Sequence, residues 1–361
     1  MPIIFVHGVS SRKYNNYVKT WEEIKRNLLK YVAPVIVTPT SNKPTFIEEA
    51  FWGHDSVPFY MNRRASIPNN ERVMKLIKQK SSWIARKIEQ FEHIPESDRD
   101  DFLWDLIPEA GKKLIDLPGY LFGRVVDPLR EPLNENVTLF FGDIFFYLAK
   151  RGTADNPGKI TTQLLKKLIE AHNIKIETGE PLIVFSHSMG GQLVYDMISY
   201  YLPKISQIPE NEKLKDISID FWCAAASQVG LFKEMKVFKQ DDDGSTAQSK
   251  QDFLELDLGV ATWKDEIEPI EQIDFPSQHL KIWWNLWDDS DYLSFTVEPF
   301  IKEVFDDLYD SGKSPAQSHT SHFDDLDFYK QFALLIQEAK SVKWDRQKFL
   351  LKQQLLNFNR T

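Results

Sequence analysis

Ser188 stands in Ser186-His187-Ser188-Met189-Gly190-Gly191, a run of mostly small residues that follows the apolar stretch 181–185 and precedes the apolar stretch 192–198. That order of strand, tight turn and helix holds a serine at the apex of a sharp turn, in a backbone conformation that only small neighbours permit. A serine hydroxyl is a weak nucleophile at neutral pH. It needs a general base and donors aimed at the oxyanion that forms on carbonyl attack. The turn supplies one donor itself, the backbone N–H of Met189, at a helix N-terminus whose dipole favours negative charge. Ser188 is therefore the candidate nucleophile. The usual pattern is Gly-x-Ser-x-Gly, and here Ser186 takes the first glycine position.

A second signal lies near residue 1. Pro2-Ile3-Ile4-Phe5-Val6 reads as a buried strand and runs into His7-Gly8-Val9. In serine hydrolases a His-Gly after an early strand opens the loop that contributes the second oxyanion N–H, which by position falls on Val9. The plain alternative is a glycine turn after a strand, with a core histidine.

From these residues the chain resembles the α/β-hydrolase superfamily of lipases and esterases. The resemblance implies an α/β fold with a mostly parallel central sheet, helices on both faces and a helical insertion acting as a lid. It also implies a triad in the chain order serine, acid, histidine. Downstream of Ser188, the aromatic-rich strand 279–287 ends in Asp288-Asp289-Ser290-Asp291, so three acids fall within four residues where a triad acid belongs. The segment 285–300 is similar to the acid loop of intracellular phospholipase A1-type lipases, in which the aspartate stands before a short apolar segment. That selects Asp291, with Asp288 as the alternative and an acidic loop without catalytic duty as the plain reading. Only His319 and His322 follow residue 279. The superfamily pattern of a histidine, then a serine and an aromatic ahead of a final helix, implies His319 as the base, with His322 in the aromatic position.

These residues need a sheet to hold them. Continuous apolar runs, the mark of parallel strands buried on both faces, fall at 2–6, at 34–38 or 45–52, and at 181–186, 217–224 and 279–286. Helices are expected at 18–32, 159–173, 190–201 and 327–340. The hydrolase core is expected over 1–53 and 136–342, split by the insertion 54–135 and followed by a C-terminal helix in 343–361. The polar stretch 240–251 reads as a loop. At 361 residues with 42% hydrophobic content, one large α/β core is expected. A net charge of −9 argues against nucleic acid as a partner. Cys223, the single cysteine, lies in the apolar run 217–225 and reads as a small core residue. The first strand begins at residue 2 and no apolar run reaches membrane-spanning length, so a cytoplasmic location is expected.

Within the insertion, Arg72, Lys75, Lys78, Lys80, Arg86 and Lys87 occupy a span free of Asp and Glu, among apolar residues such as Leu76, Trp83 and Ile84. Residues 72–88 fit a basic amphipathic helix, either lying on an anionic lipid surface or presenting a solvated face while packed on the core. The aromatic runs 102–107 and 114–123 fit an acyl-chain pocket or a small helical core. Together these features predict a serine carboxylester hydrolase that acts on a lipid or acyl ester through an acyl-enzyme, with no metal or organic cofactor. Thioesterase or peptidase action on the same triad, and a non-catalytic scaffold that binds a protein partner, stay open.

Overall fold

The computed structural model describes residues 2–9, 11, 17–37, 45–55, 142–234 and 272–358. Within them the apolar runs become strands β1 (Pro2–Val6), β2 (Phe46–Glu49), β3 (Ile183–His187), β4 (Ile219–Ala225), β5 (Leu280–Trp287) and β6 (Phe305–Leu308). All five neighbouring pairs are parallel, in the order β2-β1-β3-β4-β5-β6. β1, β3 and β4 are buried along their whole length, as strands covered on both faces must be.

The side-chain alternation of the strands builds two cores. Ile4, Val6, Val184, Trp222 and Trp283 face one side and meet helices α4 (Lys159–Thr178) and α5 (Met189–Asp196). Ile3, Phe5, Phe185, Phe221, Cys223 and Trp284 face the other and meet α1 (Tyr17–Asn27), α9 (Leu326–Ser341) and α10 (Arg346–Phe358). The molecule is thus an α/β protein with helices on both faces of a parallel sheet, and Cys223 is fully buried in it. Gly179, at φ +69°, ends α4 in the left-handed conformation glycine adopts at no cost, and its N–H bonds the Lys175 carbonyl at 2.8 Å.

The structure decides one open alternative and adds one strand. The second strand is Phe46–Glu49, and the competing run 34–38 is instead helical over Ala33–Ile36 (α2), which continues directly from the π-helical turn Leu28–Val32. β6 was not foreseen: its sequence is Phe-Asp-Asp-Leu, too short and too acidic to read as a strand. As an edge strand it needs no apolar run, and its aspartates find partners elsewhere. Asp306 accepts from Val297 N, Glu298 N and Asn285 Nδ2, and Asp307 from Trp284 Nε1 and Gln331 Nε2. Among the described residues the remaining α-helices are α3 over 142–150, α6 (Leu202–Ile205), α7 (Val229–Glu234) and α8 (Pro315–Ser318). π-helical turns follow α1 and α5.

The expected insertion, with its basic stretch 72–88 and its aromatic runs, and the polar stretch 240–251 lie outside the described residues, apart from positions 54 and 55. Among the described residues no helix is long and apolar enough to cross a membrane.

The chain passes from β1 outward to β2, then returns past β1 to add β3, β4, β5 and β6 on the other side. The sheet therefore has a topological switch point between β1 and β3. In open α/β sheets the crevice beyond the carboxyl ends of the strands at that point is where ligands bind.

Candidate active site

Ser188 sits at the switch point. It follows β3 directly and precedes α5, with φ 55° and ψ −129°, a sparsely populated region for a residue with a side chain. Such strain persists only where the surroundings impose it, and here three close approaches do. Its N–H bonds the Ala225 carbonyl at the end of β4 at 3.0 Å. A Cβ on Gly190 would come within 2.2 Å of the Val6 carbonyl oxygen, so only glycine lets α5 start this close to β1. A Cβ on Gly8 would meet Ser188 Cβ at 2.7 Å, which places the His-Gly turn against the serine itself.

Ser186 is more than a small residue in a glycine position. It is fully buried, and its hydroxyl accepts from Trp222 Nε1 at 2.8 Å, satisfying an indole on the neighbouring strand.

His7 is held by both ring nitrogens. Nε2 accepts from Trp52 N at 2.9 Å, so Nδ1 carries the proton and donates to the Gly8 carbonyl at 2.6 Å. Its ring stacks on Trp52 with centroids 5.0 Å apart, and its own carbonyl accepts from Trp52 Nε1. These contacts fix the start of the loop that carries Val9, which is half-buried against the core. Met189 is the first residue of α5 and is fully buried.

Of the two downstream histidines, His319 is the one paired with an acid: its Nδ1 donates to Asp291 Oδ2 at 2.7 Å. That bond leaves Nε2 as the lone-pair nitrogen. Asp291 is buried, and its other oxygen accepts from Leu293 N at 2.9 Å. His187, adjacent to Ser188, donates from Nε2 to the His319 carbonyl at 2.9 Å, with the two rings 4.7 Å apart. This bond ties the segment bearing His319 to the turn bearing Ser188. Burial, then the proximity of His319 and His322, pushes the His187 pKa well below the ordinary histidine value, so it serves as a neutral donor.

Asp288 has a different place. Oδ1 accepts from Ser290 N at 2.8 Å and Oδ2 from Ser311 N at 3.3 Å, so it organises the loop rather than pairing with His319. His322 is buried among Phe185, Phe323 and Phe328, and burial lowers its pKa to about 3. It is an aromatic-like core residue. The acid loop itself is anchored by Phe295 N donating to the Ser227 carbonyl and by Asn285 Nδ2 donating to the Phe295 carbonyl.

One residue of the site was missed by the sequence reading. Gln228, fully buried just after β4, donates from Nε2 to Ser188 Oγ at 3.2 Å. Its only sequence signal is its position past the carboxyl end of the strand beside the turn, a rule that names a place and no residue type.

A 350 Å³ surface hollow on α1, lined by Glu22, Lys25, Arg26, Leu29 and Lys30, contains none of these residues. Among the described residues no group of three or more His, Cys, Asp or Glu side chains could hold a metal ion.

No protein-family model, curated protein or solved structure matches the chain. The functional reading therefore rests on the sequence motifs and the geometry.

Proposed function

We propose that this protein is a serine carboxylester hydrolase with an α/β-hydrolase fold. Ser188 attacks the ester carbonyl, His319 takes its proton and later delivers it to the leaving alcohol, and Asp291 orients His319 and stabilises its imidazolium. The N–H groups of Met189 and Val9 hold the oxyanion. An acyl-enzyme forms and water resolves it. The observation that carries this reading is the strained Ser188 backbone, at φ 55°, next to His187, whose bond to the His319 carbonyl ties the turn to a histidine–aspartate pair with its own atoms 2.7 Å apart. A scaffold that only bound a partner would gain nothing from holding a serine in a conformation that costs on the order of 1–3 kcal/mol.

The apolar and aromatic content of residues 72–123 directs the substrate reading toward a lipid or acyl ester, with a cytoplasmic enzyme touching anionic membrane surfaces through 72–88. The test is labelling with a fluorophosphonate probe, which forms a covalent adduct only with an activated serine. Wild type labels and Ser188→Ala does not. A Ser188→Ala variant that still hydrolyses esters within tenfold of wild type refutes the assignment, because loss of a nucleophile costs about 10⁶-fold in such triads.

A further inference from the structure

The Gln228 side chain is half satisfied. Nε2 donates to Ser188 Oγ at 3.2 Å, while Oε1 is sealed from bulk solvent and accepts from no group among the described residues. A buried amide oxygen without a donor is destabilising; among the described residues Gln163, Gln192, Gln228 and Asn285 carry one, and only the Gln228 amide also bonds Ser188 Oγ. The local turn does not need this amide. Ser227 Oγ accepts from Val229 N, and the Gln228 carbonyl accepts from Phe232 N, so the backbone here is tied without the side chain. A methionine or leucine would fill the same volume with no orphaned atom.

Covalent geometry fixes the two polar atoms of an amide about 2.3 Å apart, so Oε1 lies within roughly 5.5 Å of Ser188 Oγ. A hydroxyl or N–H borne one or two carbons from the scissile carbonyl falls inside that reach. The geometry points to Gln228 as a specificity residue whose Oε1 accepts a hydrogen bond from a donor that the ester carries beside its scissile carbonyl. The preferred substrates are then hydroxy or N–H-bearing esters rather than plain alkyl esters. The proposal rests on Ser188 being the nucleophile.

A site whose buried acceptor is matched by a substrate hydroxyl discriminates strongly against the analogue lacking it, because the acceptor is then left unpaired. Two isosteric pairs test this on the intact protein, with each ratio divided by that of the same pair in alkaline hydrolysis to remove intrinsic reactivity. Ethyl lactate against ethyl isobutyrate places the hydroxyl on the acyl side. Glycol monobutyrate against propyl butyrate places it on the alcohol side. Wild type is expected to favour the hydroxy member of one pair by roughly tenfold to a hundredfold in kcat/KM, and the favoured pair identifies the side on which the donor sits. Gln228→Met should reduce that preference to below about threefold, a ratio read independently of any fall in the overall rate.

Equal turnover within both pairs by a wild type that labels overturns the proposal while leaving the Ser188 reading intact. Persistence of the preference in Gln228→Met overturns the assignment to Gln228. A wild type that fails to label removes the Ser188 reading and this proposal with it. If Gln228→Met does not fold, Gln228→Leu makes the same comparison, and equal wild-type ratios still overturn the proposal.

Discussion

The strain at Ser188 makes a prediction about stability that is independent of any substrate. The perturbation is a pair, Ser188→Ala and Ser188→Gly, compared with each other rather than with wild type. Both remove Oγ and its bond from Gln228, so that loss cancels between them. At φ 55° and ψ −129° the alanine keeps a strain of about 1–3 kcal/mol, which glycine relieves. Against this, glycine loses about 0.4–1 kcal/mol through the freedom it gives the unfolded chain, and about 0.8 kcal/mol for one fewer buried carbon. The terms nearly balance, with a small surplus for glycine. Ser188→Gly should therefore lie between about 0.8 kcal/mol less stable and about 1.8 kcal/mol more stable than Ser188→Ala. The control is Ala171→Gly in α4, fully buried in ordinary helix, where the same chemical change should cost about 2 kcal/mol because no strain is relieved. Urea denaturation with a shared slope gives both differences. If Ser188→Gly is less stable than Ser188→Ala by as much as the control, the backbone is not strained and the strongest support for a nucleophile is gone.

The histidine–aspartate pair predicts that His319→Ala and Asp291→Asn each lower kcat/KM by about 10⁴-fold or more with little change in stability; either variant within tenfold of wild type on a short soluble ester removes that residue from the mechanism. His322 is neutral when folded, with its pKa depressed to about 3, whereas the unfolded chain protonates it near the ordinary value of about 6.5. The unfolded state thus binds more protons between these values, so stability should fall as pH drops from about 6.5 toward about 3, at up to about 1.4 kcal/mol per unit from this residue. His322→Phe should flatten that slope and keep ester hydrolysis within a few fold, and an unchanged slope by denaturant titration across this range counts against a buried neutral histidine. Gly190→Ala drives a Cβ to 2.2 Å from the Val6 oxygen, in backbone that cannot give way, and should cost more than about 3 kcal/mol or abolish soluble expression; a well-folded Gly190→Ala protein would mean that α5 does not start against β1.

Elements and turns fixed by local spacing were legible in the sequence. The positions of Ser188 and Met189 are set by a strand, a turn and a helix within about a dozen residues, and the central strands β1, β3, β4 and β5 by apolar runs that burial on both faces demands. The choice of Asp291 over Asp288 came from resemblance to a loop pattern. In the structure the two acids differ by partner, since Asp291 meets His319 and Asp288 meets backbone N–H groups of its own loop and of Ser311. What was not legible depends on contacts far apart in the chain. β6 is a strand because its aspartates cap the acid loop and meet side chains of β5 and α9, none of which a four-residue window contains. The helical Ala33–Ile36 reads as a strand by composition, and packing of the α1 extension against α9 overrides that preference.

The serine in the first glycine position of the turn shows how a departure from a motif can be resolved by its neighbour. Glycine is favoured there because strand and helix approach closely, and a side chain must either clash or be absorbed. Ser186 is absorbed: β3 and β4 run parallel in register, Ser186 opposite Ala224 and Val184 opposite Trp222, which sets the Trp222 indole N–H within 2.8 Å of the Ser186 hydroxyl. Trp222 also stacks on Trp283 of β5 with ring centroids 4.1 Å apart, and neither ring has water available to take its N–H. The Trp283 N–H is in fact without a partner among the described residues, so the Ser186 hydroxyl is what keeps the Trp222 N–H from sharing that state. Ala224 and Ala225 stand opposite Ser186 and His187 across the ladder. Serine at 186 and the large indole at 222 thus form one unit across the ladder, and the turn keeps its shape through that unit instead of through a glycine.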